Sequence, residues 1–357
     1  MNPKVSVIIP VYNVEKYLRQ ALDSVVNQTF ENIEIICIDN KSQDNTLSIL
    51  REYSDKDKRF KIIENNENIK QGLARNLGVN IAKGEYIAFL DGDDWYEKTF
   101  VEKMYSKAVG TDSDIVICCW EPFDNNTNKI IKNHVYSKLK QIPEEYDNKV
   151  FNWRDIKDSI FWQSSVPWDK MYKRSFLIEK DVKFPGEIFF EDNVFVYDAF
   201  FKSEKISILR ENLIFYRSNR KDAVTNRKDK TFFDYLTIFN LIEDNLKKES
   251  LYEEMKYKFL DYKIITLYWW YNRVHFVYKK EFFNKIKADF KKIEIKEDDK
   301  KFIRNRTLFL LDRFIKIPFF IYMFIFYFDK IFRVEKGSEY NVVVYFATFE
   351  KWYKKNN

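Results

Sequence analysis

The stretch Glu85-Tyr-Ile-Ala-Phe-Leu-Asp-Gly-Asp-Asp94 sets an apolar run, Tyr86 to Leu90, directly against three carboxylates, Asp91, Asp93 and Asp94. The run is short and aromatic enough to be a buried strand. Acids at the carboxyl end of such a strand are costly unless something positive meets them. A hard divalent cation carrying a diphosphate is a natural partner, because Mg²⁺ takes one or two carboxylates together with phosphate oxygens. The competing reading is a solvated Asp-Gly turn. A second acid pair, Glu191-Asp192, sits in the apolar setting Phe189-Phe-Glu-Asp-Asn-Val-Phe195. Burial there would raise a carboxylate's pKa, which suits a group that takes a proton from a hydroxyl. Its competing reading is an N-cap pair opening a helix over 193–202.

The elements that must position these acids alternate. Val5 to Pro10 is β-branched and strand-like, and the apolar residues Val14, Tyr17, Leu18, Ala21, Leu22, Val25 and Val26 then follow helical spacing. Strands are expected at 33–38 and 60–63, with helices from Ser42–Asn45 to about Tyr53 and over 72–82. Alternation of this kind implies a mainly parallel α/β sheet with right-handed crossovers. Ligands bind such sheets outside the carboxyl ends of the strands. Pro10–Asn13, Asp39–Ser42 and Asp91–Asp94 all fall at those ends, so one polar crevice is expected there.

Val5-Ser-Val-Ile-Ile-Pro-Val-Tyr-Asn-Val-Glu-Lys-Tyr-Leu18, Ala74-Arg-Asn76 and Gly84-Glu-Tyr-Ile-Ala-Phe-Leu-Asp-Gly-Asp-Asp94 resemble the family 2 glycosyltransferases of the GT-A fold. The resemblance is strong over residues 3–118. It continues more loosely through Trp168-Asp-Lys-Met-Tyr-Lys-Arg174 and Glu191-Asp192 to Tyr216-Arg217. It implies a GT-A catalytic domain over 1–220, with a nucleotide-sugar half (1–118) and an acceptor half (119–220). Beyond it, the helical periodicity crowded with aromatics from Thr231 to Lys291 and the basic tail read as a helical, aromatic and basic extension over 221–357. It implies nucleotide-sugar contacts at Pro10, Tyr12, Asn13, Glu15, Asp39, Gly72, Arg75, Asp91 and Gly92. Asp39 would accept the imide N–H of uracil, favouring a UDP-sugar donor, and Tyr12 would stack on the ring. Asp91 and Asp93 would hold the divalent metal, Mn²⁺ or Mg²⁺, with Asp91 alternatively on the ribose. Asp192, with Glu191 as second choice, would be the base. One base and no second nucleophilic carboxylate implies single displacement with inversion.

Two departures stand out. The family usually has two adjacent acids and a glycine after its second strand, where this chain has Asp39, Asn40 and Lys41. It also often has a glycine two residues after the position of Asn68, where this chain has Lys70, so that Gly72 is left to supply the flexibility. Several roles stay open from the residues alone. Arg75 could meet the donor or pair with an acid, and Asp94 could ligate the metal or orient Arg75. Trp168 could floor an acceptor sugar or fill the core. Lys170, Arg217 and Arg220 are candidate acceptor or diphosphate contacts, with ordinary salt bridges as the alternative. His134 and His275 lack metal-ligand partners at useful spacing.

The three cysteines, Cys37, Cys118 and Cys119, lie in apolar runs and read as free thiols of a reducing compartment, so a cytoplasmic protein is expected. No signal-like segment opens the chain. The charge of +6 resides in the last stretch, where 11 Lys and Arg stand against 5 Asp and Glu from Lys301 onward. No nucleic-acid-binding signature accompanies it. The most apolar stretch, 317–328, is twelve residues long and flanked by Arg313, Lys316, Lys330 and Arg333. It is too short to span a bilayer, and it reads as an interfacial helix at the cytoplasmic face of an inner membrane. The alternatives are packing on the catalytic domain or on a second subunit, as in a homodimer. The acceptor implied is a glycan or lipid-linked glycan, as in capsule, lipooligosaccharide or exopolysaccharide. A nucleotidyltransferase would need a glycine- and lysine-rich triphosphate loop near the start, which Pro10–Asn13 is not. A non-catalytic sugar-nucleotide-binding or membrane scaffold protein would show eroded acids; Asp91, Asp93 and Asp192 are present, and only Asn40 and Lys41 favour that reading.

Overall fold

In a computed structural model of the chain, residues 2–131, 139–220 and 223–323 are described, with the backbone of two short strands at 333–335 and 343–345. His134 and the end of the apolar stretch, 324–328, lie outside the described residues. Through β4 the chain alternates as read from the sequence: β1 (Val5–Val11), α1 (Glu15–Val26), β2 (Ile33–Asp39), α2 (Thr46–Lys56), β3 (Phe60–Glu64), α3 (Lys70–Ile81) and β4 (Tyr86–Phe89). β5 (Trp95–Tyr96) and α4 (Phe100–Thr111) follow, neither of them among the elements expected from the sequence. β1, buried at all seven positions, lies between β2 and β4 and is parallel to both. Apolar at every position but Ser6, whose hydroxyl donates to Glu34, it reads as a strand covered on both faces must.

The second half departs from simple alternation. It adds β6 (Ile115–Asp124), β7 (Lys129–Ile130), β8 (Lys170–Lys173), α5 (Arg174–Glu179), α6 (Asp192–Lys202) and β9 (Ile206–Ser218). The strand order is β3-β2-β1-β4-β8-β6-β9-β5, with β7 on β6. β8 runs antiparallel between β4 and β6, and β6 pairs β9 in parallel. The sheet is therefore mixed: parallel across its first four strands, with antiparallel pairs inserted beyond β4.

α6 is held by rings. Phe184 stacks on Phe195 at 3.8 Å, and Phe89 from β4 meets both edge-on at 5.4 and 5.8 Å. Nine of the eleven residues of α6 are buried, which fixes the helix start that carries Asp192.

The chain forms two compact units, residues 1–227 with 237–255, and 228–236 with 256–357. The boundaries cut through α7 (Asp234–Lys248) and α8 (Tyr252–Arg273). The second unit contains α9 (Phe276–Phe290) and α10 (Asn305–Lys316), and its core is aromatic: Phe283 stacks on Phe314 at 5.1 Å, and Tyr271 meets Phe314 and Tyr322 edge-on. Among the described residues no helix is long and apolar enough to cross a membrane.

Candidate functional site

The parallel register brings three strand ends side by side. Val11 lies opposite Asp39, and Asn40 N–H donates to the Val11 carbonyl at 2.9 Å. Leu90 N–H donates to Ile8 O at 3.0 Å, so Asp91 follows immediately beyond the last β1–β4 pairing. Gly92 is required by close approach. A Cβ there would stand 2.9 Å from Val11 Cγ1 and 3.1 Å from Val14 Cγ2.

Past the end of β1, where Pro10 lies buried, Tyr12 is 45 % exposed and Asn13 takes a left-handed φ of 53°. Asn13 Oδ1 accepts from Gln43 N–H at 2.7 Å, and Glu15 Oε2 accepts from both the backbone and the side-chain nitrogen of Asn45 at 2.9 and 2.7 Å. These two residues tie the β1 and β2 loops into one wall. Asp39 is buried and its carboxylate accepts Ser42 N–H at 3.1 Å.

The departures at 40, 41 and 70 are absorbed without loss of the loop. Asn40 Oδ1 accepts from Asn65 Nδ2 at 2.8 Å, and its Nδ2 donates to Lys70 O at 3.3 Å. Lys41 and Lys70 adopt φ values of 64° and 63°, the left-handed conformation that glycine takes at least cost.

Arg75, on α3, has no exposed surface and is ion-paired with three acids. Nη2 meets Asp91 at 2.6 Å, and Nη1 meets Glu191 at 3.0 Å and Asp192 at 2.6 Å. Burial works against the Arg75 charge, but the three carboxylates outweigh it and raise its pKa. Burial pushes Asp192 and Glu191 up, with Arg75 opposing. One guanidinium cannot satisfy three acids, so the upward direction stands; Asp192, 23 % exposed, keeps some water, which tempers it. The pair does open α6, with Glu191 at the N-cap position and Asp192 in the first turn, but no side-chain cap hydrogen bond forms at the N-cap, and both carboxylates turn to Arg75.

Asp93 and Asp94 diverge. Asp93 Oδ2 pairs with Arg220 Nη2 at 2.7 Å, and burial with the neighbouring Asp91 raises its pKa to about 6 against the pull of Arg220. Asp94 is buried and accepts the backbone N–H of Arg217 at 2.7 Å. Its pKa is raised by burial and by Asp93. It thus fastens β9 to the acidic turn, and among the described contacts it meets neither Arg75 nor a metal-ligand set.

Several candidates are built into the interior. Trp168 is 3 % exposed, stacked on Tyr216 at 5.5 Å and edge-on to Trp120 at 5.3 Å, which is core packing. Lys170 is equally buried and donates to Ser164 O and Val166 O, both at 2.8 Å, and to Asp169 at 2.5 Å. Arg217 donates to Asp93 O at 2.9 Å and to Gln20 Oε1 at 2.5 Å, with its guanidinium over Tyr17 and Trp95 at 4.9 Å. These three face protein partners and not an open crevice. Gly72 has no positive φ, so it supplies no unusual flexibility. A Cβ there would stand 2.7 Å from Glu191 Cγ and 2.9 Å from Pro185 O. His275 precedes α9 and donates its backbone N–H to Lys228 O at 2.8 Å, a structural role.

Two residues not singled out from the sequence shape the site. Asn76 exchanges two hydrogen bonds with the backbone of Phe184, at 2.8 and 3.0 Å, and so pins the loop that delivers Glu191 and Asp192. Gln71 Nε2 donates to Asp91 Oδ1 at 3.2 Å. Asn76 was within reach, since it completes the Ala74-Arg-Asn76 motif; Gln71 carried no signal. A separate open concavity of about 1030 Å³ is lined by Asp23, Glu52, Tyr53, Asp57, Arg59 and Lys98 among others. Within it Arg59 pairs with Asp57 at 2.7 Å, and the Tyr53 hydroxyl donates to Asp23 at 2.6 Å.

The residues that could hold a cation are Asp91 and Asp93; no group of three or more His, Cys, Asp or Glu side chains forms a closed metal site among the described residues. Around them, five carboxylates (Asp91, Asp93, Asp94, Glu191, Asp192) face three guanidiniums (Arg75, Arg217, Arg220). Fully ionised, the set has two negative charges in excess, which fits one divalent cation. Two carboxylates with phosphate oxygens are also an ordinary Mg²⁺ donor set.

The glycosyl transferase family 2 model matches residues 6–175, which contain β1 to β8 and the acidic turn. EpsH of Bacillus subtilis strain 168, a glycosyltransferase by name, is 33 % identical over 260 residues, covering 71 % of this chain and 73 % of EpsH. The chain belongs to glycosyl transferase family 2. The cholesterol galactosyltransferase of Borreliella burgdorferi is 28 % identical over 281 residues, 75 % of this chain and 77 % of that protein. The poly(ribitol-phosphate) beta-glucosyltransferase of Bacillus spizizenii is 33 % identical over 234 residues, but the chain spans only 32 % of its length. Among solved structures, Staphylococcus aureus TarS 1–349 in complex with UDP-GlcNAc superposes with a TM-score of 0.69 at 20 % identity, over 87 % of each chain. The fold is accordingly the GT-A-like α/β fold with a helical C-terminal region, as the sequence motifs implied.

Proposed function

We propose that this family 2 glycosyltransferase transfers a sugar, with inversion and with a divalent metal, from a UDP-sugar to a hydroxyl of a surface glycan or glycolipid. The observation that carries the reading is Arg75, which holds an acid of the strand-end turn and the distant Glu191-Asp192 pair on one buried guanidinium. Donor-side and acceptor-side chemistry are thereby adjacent. The solved TarS complexes with UDP and UDP-GlcNAc support a UDP-sugar donor.

In this reading Asp39 takes the uracil imide and Tyr12 covers the base. A divalent cation on Asp91 and Asp93 would supply positive charge for the departing diphosphate. Asp192 presents Oδ1 to Arg75, which leaves Oδ2 to take the acceptor proton as the anomeric carbon develops charge. Glu191, turned fully inward to Arg75, supports it. The second unit supports acceptor delivery at an anionic membrane surface: exposed Trp269, Phe276, Phe320 and Ile321 lie with Arg273 over Trp269 at 4.4 Å and Lys280 over Phe320 at 5.5 Å.

The test is UDP release from a panel of UDP-sugars with Mn²⁺ or Mg²⁺, then with EDTA, alongside Asp93→Ala and Asp192→Ala. Hydrolysis of one donor, abolished by EDTA and by Asp93→Ala, is expected. Absence of metal-dependent binding of every UDP species would overturn the assignment of the crevice. Spinning the same protein with anionic and neutral vesicles tests the membrane element; equal recovery with both removes it.

A further inference from the structure

Two arginines three residues apart grip Asp93 in different ways. Arg217, at the end of β9, takes its backbone carbonyl at 2.9 Å while Gln20, Asn125 and the rings of Tyr17, Trp95 and Phe123 enclose the guanidinium. Arg220 lies beyond Asn219, a residue of left-handed φ 61°, and takes the carboxylate itself at 2.7 Å. Its guanidinium rests over Tyr17 at 5.4 Å and its side chain retains 16 % exposure. Arg217 is thus built into the wall, whereas Arg220 reaches the acid from a turn at its edge.

We propose that Arg220 is an exchangeable counter-ion: it holds the Asp93 carboxylate in the donor-free protein, and yields it to the cation when the nucleotide diphosphate arrives to accept the guanidinium. This rests on the donor-site reading above. The exchange follows from charge. A guanidinium bonded to one oxygen of Asp93 repels a dication seeking the same carboxylate, so free metal meets a competitor. A diphosphate removes the conflict, because it offers the arginine bidentate acceptor oxygens and the cation its remaining ligands.

The consequence has opposite signs for two ligands. In Arg220→Met, Mn²⁺ alone binds about tenfold tighter, the competing charge-assisted bond being gone, while UDP in saturating Mn²⁺ binds about tenfold weaker. Arg220→Lys falls between for both, as a point charge without the fork. Mn²⁺ binding is read by electron paramagnetic resonance of the free ion, and UDP binding by calorimetry, on full-length protein with thermal melts confirming the fold. A residue that only clamps phosphate leaves Mn²⁺ affinity unchanged, and general damage weakens both ligands; either result overturns the exchange. If Arg220→Met misfolds, Arg220→Lys alone decides: Mn²⁺ affinity equal to or below wild type overturns it. Wild-type protein that binds UDP without any dependence on Mn²⁺ overturns the donor-site reading as well, so the two failures are distinguishable.

Discussion

Removal of the Arg75 charge is the sharpest perturbation the site offers. In Arg75→Met a similar volume of side chain remains in a fully buried position, but Asp91, Glu191 and Asp192 lose their common cation. Breaking a buried pair by deleting one partner costs about 3–5 kcal/mol. Asp91 and Asp192 are 18 and 23 % exposed and keep part of their hydration, whereas Glu191 at 7 % does not, so the lower end applies: about 3 kcal/mol at pH 7.5. The pH dependence carries the mechanism. Without Arg75 the Glu191 and Asp192 carboxyls, already raised by burial, are raised further, so the folded variant binds more protons than the folded wild type. Stability then falls more steeply with rising pH in the variant, and the gap to wild type widens as pH rises and narrows as pH falls. One proton over two pH units is worth about 2.7 kcal/mol, so most of the deficit should vanish by pH 5.5. Urea unfolding followed by circular dichroism at pH 5.5 and 7.5 measures both numbers. Arg75→Lys, which keeps the charge but not the fork, recovers part of the loss at pH 7.5. A deficit below about 1 kcal/mol, or one equal at both pH values, would refute the account.

Two backbone predictions test the loops that bring the acids together. Gly72→Ala places a Cβ 2.7 Å from Glu191 Cγ and 2.9 Å from the Pro185 carbonyl, and the latter, being backbone, moves only with its loop. A loss of about 1–3 kcal/mol in urea unfolding is expected, with turnover of the best UDP-sugar reduced about 10–100-fold by displacement of Asp192; unchanged turnover would show that the loop position is unimportant. Lys41→Gly, by contrast, should stabilise the chain by about 0.5–1 kcal/mol, since it relieves a left-handed lysine with an exposed side chain. Lys70→Gly should gain little, because Lys70 Nζ also donates to Glu187 O and lies 4.7 Å above the Phe189 ring. A Lys41→Gly variant less stable than wild type in urea would contradict the strain argument.

The parallel part of the sheet was legible because β1, β2 and β4 are buried at all but one position and read as largely apolar runs, while β3, partly exposed, still shows Phe60, Ile62 and Ile63. The antiparallel insertions were not. β8 has four residues with lysine at both ends, and β5 has only two, too short for any period to show. The acids were legible as a set, but their division of labour was not. Asp93 and Asp94 are neighbours of the same type, yet one side chain turns to Arg220 and the other to a backbone N–H of β9. The same holds for Arg217 and Arg220, which differ in whether three aromatic rings, two of them from distant strands, close around them. Sequence spacing carries no information about that enclosure. Nor does it show that a lysine at a glycine position adopts the glycine conformation, as Lys41 and Lys70 both do.

Why the central residue is an arginine follows from the geometry it must meet. The acids it joins are separated by about one hundred residues of sequence and reach it from two sides, Asp91 at one terminal nitrogen and Glu191 with Asp192 at the other. A lysine is a single point and could serve one side only, whereas the planar fork addresses both and remains charged when buried. The cost is that three acids share one cation, which leaves the crevice with negative charge to spare. On the function proposed above, that surplus is what a metal-dependent diphosphate site requires, because it would make the arrival of a cation favourable where the leaving group is to be neutralised. Filling the crevice with enough fixed cations to balance every acid would stabilise the fold and remove that driving force. The structure adopts the intermediate course, with Arg75 and Arg217 fixed in the interior and Arg220 at the edge.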